Sequence, residues 1–360
     1  MHDHTHRDLL IVGYGIAGAM LAWNWVQRLG RSAWIVDNVP VHNATRTAAG
    51  ILNPVTGKRL VKSWNVDALL PEARTSYREI EALTGRSSFS DKTIRRLYQS
   101  EQERQRWEKR THQDAYQPFL GKTYAPHSLP SPLNDDLGSF EILGVGNLDT
   151  DHFLEGMLQW ARDRNLLRTG EFRHTDLEVA PEGLRWNGIS TDQVVFCEGY
   201  RVRDNPWFQW LPFNHAKGEI LTFEGLQLPT DLIFSKHKWL LPIDSNRTIA
   251  GSTWSWEHLN ERPTPQGKSA LLQGLNVMLG DSSTLTITEH RAGIRPCTRD
   301  RYPYLGTHPD EPRLHLFNGF GSKGALLSPL MAREFARYLH DGSPFSPDAD
   351  LKRVIDPRKA

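Results

Sequence analysis

The sequence predicts a mixed α/β fold in which a parallel, nucleotide-type sheet is joined to a second, mixed sheet. Three observations carry this reading. Residues 7–37 run strand, glycine loop, helix, strand; residues 193–252 hold short strands broken by Pro and Gly; and from residue 313 the pattern returns to strand, glycine loop and helix. With 360 residues and 38% hydrophobic content, the chain can bury a sizeable core and exceeds the usual length of one domain, so two modules are expected.

Taken in order, residues 7–12 read as a short buried strand, 17–29 as a helix ended by Gly30, and 32–36 as a second apolar strand ending at Asp37. The uncharged run 9–26 invites comparison with a signal peptide or a membrane span. Gly13, Gly15 and Gly18 interrupt it, Asn24 lies within it, and Asp3 and Asp8 dilute the positive charge a signal peptide needs, so neither is expected. Residues 77–83 and 93–110 suggest helices, the second carrying charges at every angle, as on a solvated surface. Another helix is expected at 151–165, then strands at 193–197, 216–223, 239–243 and 247–252. Strand 314–317 leads through Gly319, Gly321 and Gly324 into a helix at 326–339.

Composition narrows the function. Lys plus Arg number 43 against 42 Asp plus Glu, so no global charge excess draws nucleic acid or an anionic membrane, and such a partner would need a local patch. Cys197 and Cys297 form no CxxC pair, which points to neither a zinc site nor a disulfide framework and suits a reducing cytoplasm. His2, His4 and His6 alternate near the terminus, where a frayed polar tail accounts for them better than a metal site, and no metal is expected.

Gly13, Tyr14, Gly15, Ile16, Ala17 and Gly18 spell GxGxxG between a strand and a helix, the context that makes the motif informative. The first glycine permits the tight turn, the second lets backbone approach a pyrophosphate, and the third lets helix pack on strand. The helix opening favours the anion. Asp37, with Asn38 beside it, falls at the end of the second strand, where a carboxylate can accept hydrogen bonds from ribose hydroxyls. The opening is therefore Rossmann-like and binds a dinucleotide. After Asp37 the small-residue stretch 43–50, and then residues 51–59, replace the prompt second βα unit of a nicotinamide enzyme, which favours a flat flavin ring lying close to backbone.

These segments, with residues 194–199, 291–306 and 318–329, resemble the D-amino acid oxidase family of FAD-dependent oxidoreductases, in particular its glycine-oxidase-like branch. The resemblance spans nearly the whole chain. It implies a glutathione reductase-type FAD-binding domain made of residues 1–80, 145–205 and 286–360, with a mixed-sheet substrate domain of residues 81–144 and 206–285 inserted. Thr45, Arg46, Thr47, Ala48, Ala49 and Gly50 match the family segment beneath the flavin. Residues 194–199 resemble the strand that closes the adenine side through Gly199, although Cys197 and Glu198 depart from its usual Ala-Thr wording, and Val179 falls where the family contacts adenine through backbone. Gly319, Gly321, Ser322, Lys323 and Gly324 match the second glycine loop, whose helix opening would stabilise charge on a reduced flavin.

The resemblance also implies the substrate end. Arg295 falls where several members bind the substrate carboxylate, a task suited to the planar two-pronged donor set of a guanidinium; structural pairing with Asp300 is the alternative. Trp239 stands where the family sets an aromatic over the substrate. Ser322 stands where glycine oxidase has a second arginine, a departure that Lys323 would offset and that speaks against glycine or sarcosine as the substrate. The expected partner is a small amine or amino acid, losing hydride from its amine-bearing carbon to FAD, with O2 or another acceptor completing the cycle. Two further readings stand beside this one. One is a tRNA-modifying oxidase acting on a carboxymethylaminomethyl group, kept by Lys58, Arg59 and Lys62; the other is a flavin-binding protein without turnover.

Overall fold

Gly18, between Ala17 and Ala19, lets the first helix lie close against the strand that precedes it, and the rest of the molecule is built on that unit. The computed structural model describes residues 6–38, 43–282 and 285–354. Strand His6–Val12 pairs in parallel with Ala33–Asp37 on one side and Ile189–Phe196 on the other, and Val12 lies opposite both Val36 and Phe196. The three strands therefore end level. Gly13, Asp37 and Cys197 leave the sheet along one edge, the crevice at the carboxyl ends of parallel strands where ligands of open α/β sheets sit. Leu167–Thr169, Leu177–Ala180, Gly183–Trp186, Leu314–Asn318 and Tyr304–Thr307 complete this eight-stranded sheet.

Helix Ile16–Ala22 continues as a wider π-turn, Trp23–Arg28, and Gly30 follows in left-handed conformation at φ 66°. Helix Gly324–Asp341 packs beside it, and Val66–Thr84 packs in turn against Gly324–Asp341. Within the apparent membrane run, then, a strand, a glycine turn and a buried helix follow one another. Among the described residues no helix is long and apolar enough to cross a membrane. Helix Thr150–Asp163 begins at Asp149, whose carboxylate accepts from His152 N at 3.0 Å, and Pro265–Leu279 begins at Thr264, whose hydroxyl accepts from Gly267 N at 2.9 Å.

The second sheet has nine strands, ordered Thr286–Arg295, Ala216–Glu224, Arg247–Gly251, Trp239–Pro242, Leu232–Ser235, Phe89–Leu97, Ser139–Leu148 and Ile51–Leu52, with Leu120–Tyr124 on Ser139–Leu148. It is mixed, since Leu232–Ser235 runs parallel to Phe89–Leu97 while the other pairs are antiparallel. Ser139–Leu148 and Thr286–Arg295 both belong to this sheet.

One expected element is different. Residues 93–97 are strand rather than helix, because they lie between Ser139–Leu148 and Leu232–Ser235, and the helix starts only at Glu101 after Ser100, whose hydroxyl accepts from Glu103 N. The charges there are not a solvated face throughout. Arg96 and Glu103 are buried as an ion pair at 2.6 Å, and Arg95 is buried against the hydroxyls of Ser139 and Ser128. His2 and His4 lie outside the described residues; His6 begins the first strand.

Candidate active site

At the first glycine loop the backbone leaves no room for side chains. Gly13 sits at φ 95°, its N–H donates to Val36 O at 2.9 Å, and an added Cβ would lie 2.7 Å from Cys197 O. A Cβ on Gly18 would fall 1.9 Å from Gly13 O, so helix and strand could not approach as they do. Tyr14 N donates to the Asp37 carboxylate. Burial pushes that carboxyl above its ordinary value, and the amides of Tyr14 and Asn38 only partly counter it. A desolvated acid lining a cavity suits hydroxyl donors such as those of a ribose.

Residues 45–50 form the adjoining wall. Asn43 caps the short helix Ala44–Thr47 by accepting from Arg46 N at 3.0 Å, and Thr45 Oγ1 accepts from Ile16 N at 3.0 Å, which ties this wall to the first helix opening. Three carbonyls are held from the next strand and helix: Ala48 O by Thr150 Oγ1 at 3.1 Å, Ala49 O by Asn147 Nδ2 at 2.6 Å, and Gly50 O by Leu148 N at 2.9 Å. Arg46 is outside the wall. Its guanidinium pairs with Asp151 at 3.0 Å while Arg291 holds both its carbonyl and Asp151, so it braces the wall instead of lining it.

A cavity of about 960 Å³ runs from these residues to the second sheet and the second glycine loop. That lies near the upper end of the roughly 300–1,000 Å³ of ligand sites, as an extended dinucleotide requires. Gly13, Gly15, Ile16, Ala17, Asp37, Asn38, Thr45, Ala48, Ala49, Gly50, Gly199, Gly321, Ser322, Lys323, Gly324, Trp239 and Arg295 all line it. The cradle and its acid fit FAD.

Of the expected cofactor residues, four lie outside the cavity wall. Gly18 and Arg46 do so as described; Gly319, at φ 87°, is needed because a Cβ would lie 2.7 Å from Thr298 Cγ2. Val179 is on an edge strand with a solvent-exposed side chain, and residues 170–175 form the wall in its place. There His174 Nε2 lies 2.7 Å from Glu198, whose other oxygen accepts from Asn205 at 2.7 Å. Glu198, the departure from the family wording, is thus a bracket for the loop across the cavity. Cys197 is buried and burial pushes its thiol well up, which fits a small apolar side chain and not a nucleophile.

The second loop meets the first. Gly321 N donates to Pro296 O at 3.1 Å, and Lys323 N donates to Phe320 O just before the helix. Lys323 Nζ donates to Ser63 Oγ at 3.3 Å, and burial, with Arg301 nearby, lowers its pKa. Arg295 ends strand Thr286–Arg295. It donates to Lys217 O at 3.3 Å, Thr253 O at 3.2 Å and Ser252 Oγ at 2.9 Å, with Trp254 stacked 4.6 Å from its Cζ. Burial lowers its pKa. The alternative partner Asp300 is taken by Arg353 at 2.8 Å, and no ion pair of Arg295 occurs among the described residues. Trp239 lies across the sheet from Gly251, where a Cβ would collide with its ring at 2.3 Å. Lys62, in the basic cluster, pairs with Asp67.

Thr150, Tyr200, Arg201, Trp254 and Glu261 also line the cavity and were not expected. Only Thr150 carried a local signal, as the first residue after the helix-capping Asp149.

Comparison with known proteins gives the same answer as the cavity. Glycine oxidase of Bacillus licheniformis is 25% identical over 351 residues, 89% of this chain and 90% of that protein. Glycine oxidase of Bacillus subtilis is 29% identical over 154 residues, which take in 41% of this chain and only 40% of that protein. The crystal structure of glycine oxidase from Geobacillus kaustophilus superimposes with a TM-score of 0.82 at 20% identity, covering 98% of this chain and 100% of the other, and thereby shares its fold. The model of the DAO family, FAD dependent oxidoreductases, matches residues 8–338, and the chain belongs to that family.

Proposed function

We infer that this FAD-dependent oxidoreductase oxidises the C–N bond of an amino acid or a related carboxylate-bearing amine. The observation that carries the reading is Arg295, a half-buried cation with neutral hydrogen-bond partners, placed in the same cavity wall as the second glycine loop. When bound, FAD supplies the two-electron acceptor for the hydride that leaves the amine-bearing carbon. Arg295 binds the carboxylate and fixes the substrate's orientation, at least one pair of its N–H donors being directed into the cavity in this reading. Trp239 forms an aromatic wall, and Ile94, Ile220 and Ile233 beside it keep water from the reacting carbon. Lys323 and the opening of helix Gly324–Asp341 set positive charge at the loop where the flavin ring is expected. Gly13, Gly15, Asp37, Thr45, Ala48, Ala49, Gly50 and Gly199 hold the rest of the cofactor. The first sheet with its helices is read as the FAD-binding domain and the second as the substrate domain. Cys197 and Cys297 are both free thiols, which supports a cytoplasmic location.

The test is an anaerobic screen of the FAD-loaded protein against D-amino acids, N-methyl amino acids and small amines, following flavin absorbance. Bleaching by a carboxylate-bearing amine supports the reading. A protein that takes up FAD but is bleached by none of them contradicts it; where bleaching occurs, re-oxidation by air separates an oxidase from an enzyme using another acceptor.

A further inference from the structure

Beneath Arg295 lies a buried polar assembly that the reaction itself does not use. In strand Ala216–Glu224 the side chains alternate about Gly218. A Cβ on Gly218 would lie 2.0 Å from the Arg295 guanidinium, so the guanidinium occupies the space of the missing side chain on the cavity face. Lys217 and Glu219, on either side, point the other way and are 2% and 3% exposed.

Both fasten one segment, residues 252–264. Lys217 Nζ donates to Asn260 Oδ1 at 3.1 Å and to Arg262 O. Glu219 accepts from Thr264 N at 3.0 Å and Thr264 Oγ1 at 2.8 Å, lies 2.8 Å from His290 Nε2, and is 3.7 Å from Lys217 Nζ. The backbones join as well: Lys217 and Ser255 exchange N–H to O bonds at 2.7 and 3.0 Å, and Thr253 N donates to Glu219 O at 3.1 Å. The same segment supplies Ser252 Oγ, Thr253 O and the Trp254 ring to Arg295. Apart from Lys217 O, every hydrogen bond and stacking contact given above for the guanidinium comes from residues that this assembly holds in place.

We propose that Lys217 and Glu219 are positioning residues for Arg295, acting through residues 252–264 to hold the guanidinium at the angle that receives the substrate carboxylate. The inference rests on the carboxylate role of Arg295 given above. Breaking a buried ion pair by removing one partner is strongly destabilising, so Lys217→Met risks the fold. Asn260 offers a milder test, since it is exposed and holds the outer end of the Lys217 contact.

Anthranilate and aniline, the same ring with and without a carboxylate, are titrated into the FAD-loaded wild type, Asn260→Ala and Asn260→Asp, reading the flavin spectrum. Wild type binds anthranilate more tightly. Asn260→Ala weakens anthranilate about tenfold while aniline stays within about twofold, and Asn260→Asp, which keeps an acceptor for Lys217, restores anthranilate binding. If Asn260→Ala leaves anthranilate unchanged, or weakens both ligands alike, or is not rescued by the aspartate, the positioning role is overturned while Arg295 keeps its own. If wild type binds anthranilate no better than aniline, the carboxylate reading of Arg295 fails, and this inference with it.

Discussion

A methyl group added to Gly324 would lie 3.1 Å from Ile16 Cγ2: the first residue of the closing helix rests on the first residue of the opening helix. Two helix openings more than 300 residues apart in sequence thus share one cavity wall. Each presents backbone amides without partners in its own first turn and the positive end of its dipole. One opening suits a pyrophosphate and the other the charge that gathers on a reduced flavin ring.

Gly324→Val tests that contact. The branched side chain must displace Ile16, a form of overpacking that costs about 1–3 kcal/mol. The expected outcome is a folded protein with FAD affinity lowered at least about tenfold, measured by titrating apoprotein with FAD and following flavin fluorescence.

Lys323→Met removes the cation beside the second opening. The midpoint potential of the bound flavin is expected to fall by roughly 20–40 mV, the two-electron equivalent of about 1–2 kcal/mol, with FAD still bound. Spectroelectrochemical titration reads this directly, and an unchanged potential removes Lys323 from the flavin's surroundings.

Arg295→Met deletes the charge-assisted bonds to a carboxylate. With the amino acid that bleaches the flavin fastest, KM is expected to rise about a hundredfold, and Arg295→Lys to recover only part of the loss because one ammonium cannot reproduce the planar fork. For a substrate amine without a carboxylate, both variants should behave as wild type in steady-state kinetics.

Stability should fall with acid through the buried His315 and the half-buried His215. Burial lowers the His315 pKa to about 3 and the His215 pKa to about 4. Both folded values lie below the unfolded value near 6.5, so the neutral forms contribute stability that is complete above about pH 6.5 and is lost as pH falls toward the folded values. His315, beside Thr307 Oγ1 at 2.9 Å, is the more deeply buried. Urea denaturation between pH 7 and 4 is expected to show a loss of roughly 3 kcal/mol from His315 and less from the half-buried His215, with His315→Gln flattening the slope.

The sequence made the nucleotide end legible because its signal is local. Gly13, Gly15, Gly18 and Asp37 sit at fixed spacings imposed by one turn, one helix opening and one strand, and the structure sets the two loop glycines and the acid around the cavity with Gly18 just behind. Arg295, Trp239 and the 319–324 loop were legible through the family pattern. Trp254 and Glu261 were not, because long-range packing carries their loop to the cavity and no spacing records it; Tyr200 lines the cavity as the direct neighbour of Gly199. Residues 93–97 misled for a physical reason: Arg95 and Arg96 look solvent-facing in sequence, yet Ser139, Ser128 and Glu103 satisfy them inside the protein. Val179 does not line the cavity: its edge strand turns the side chain to solvent while the loop before it reaches the wall.

The central claim, that one extended cofactor spans both helix openings, is tested most directly by a crystal structure of the protein loaded with FAD. The account predicts the adenosine ribose within hydrogen-bond distance of Asp37 and the isoalloxazine ring against residues 321–324, with Arg295 and Trp239 on its substrate side. FAD held at one opening alone, with its ring directed away from Gly321, would contradict it.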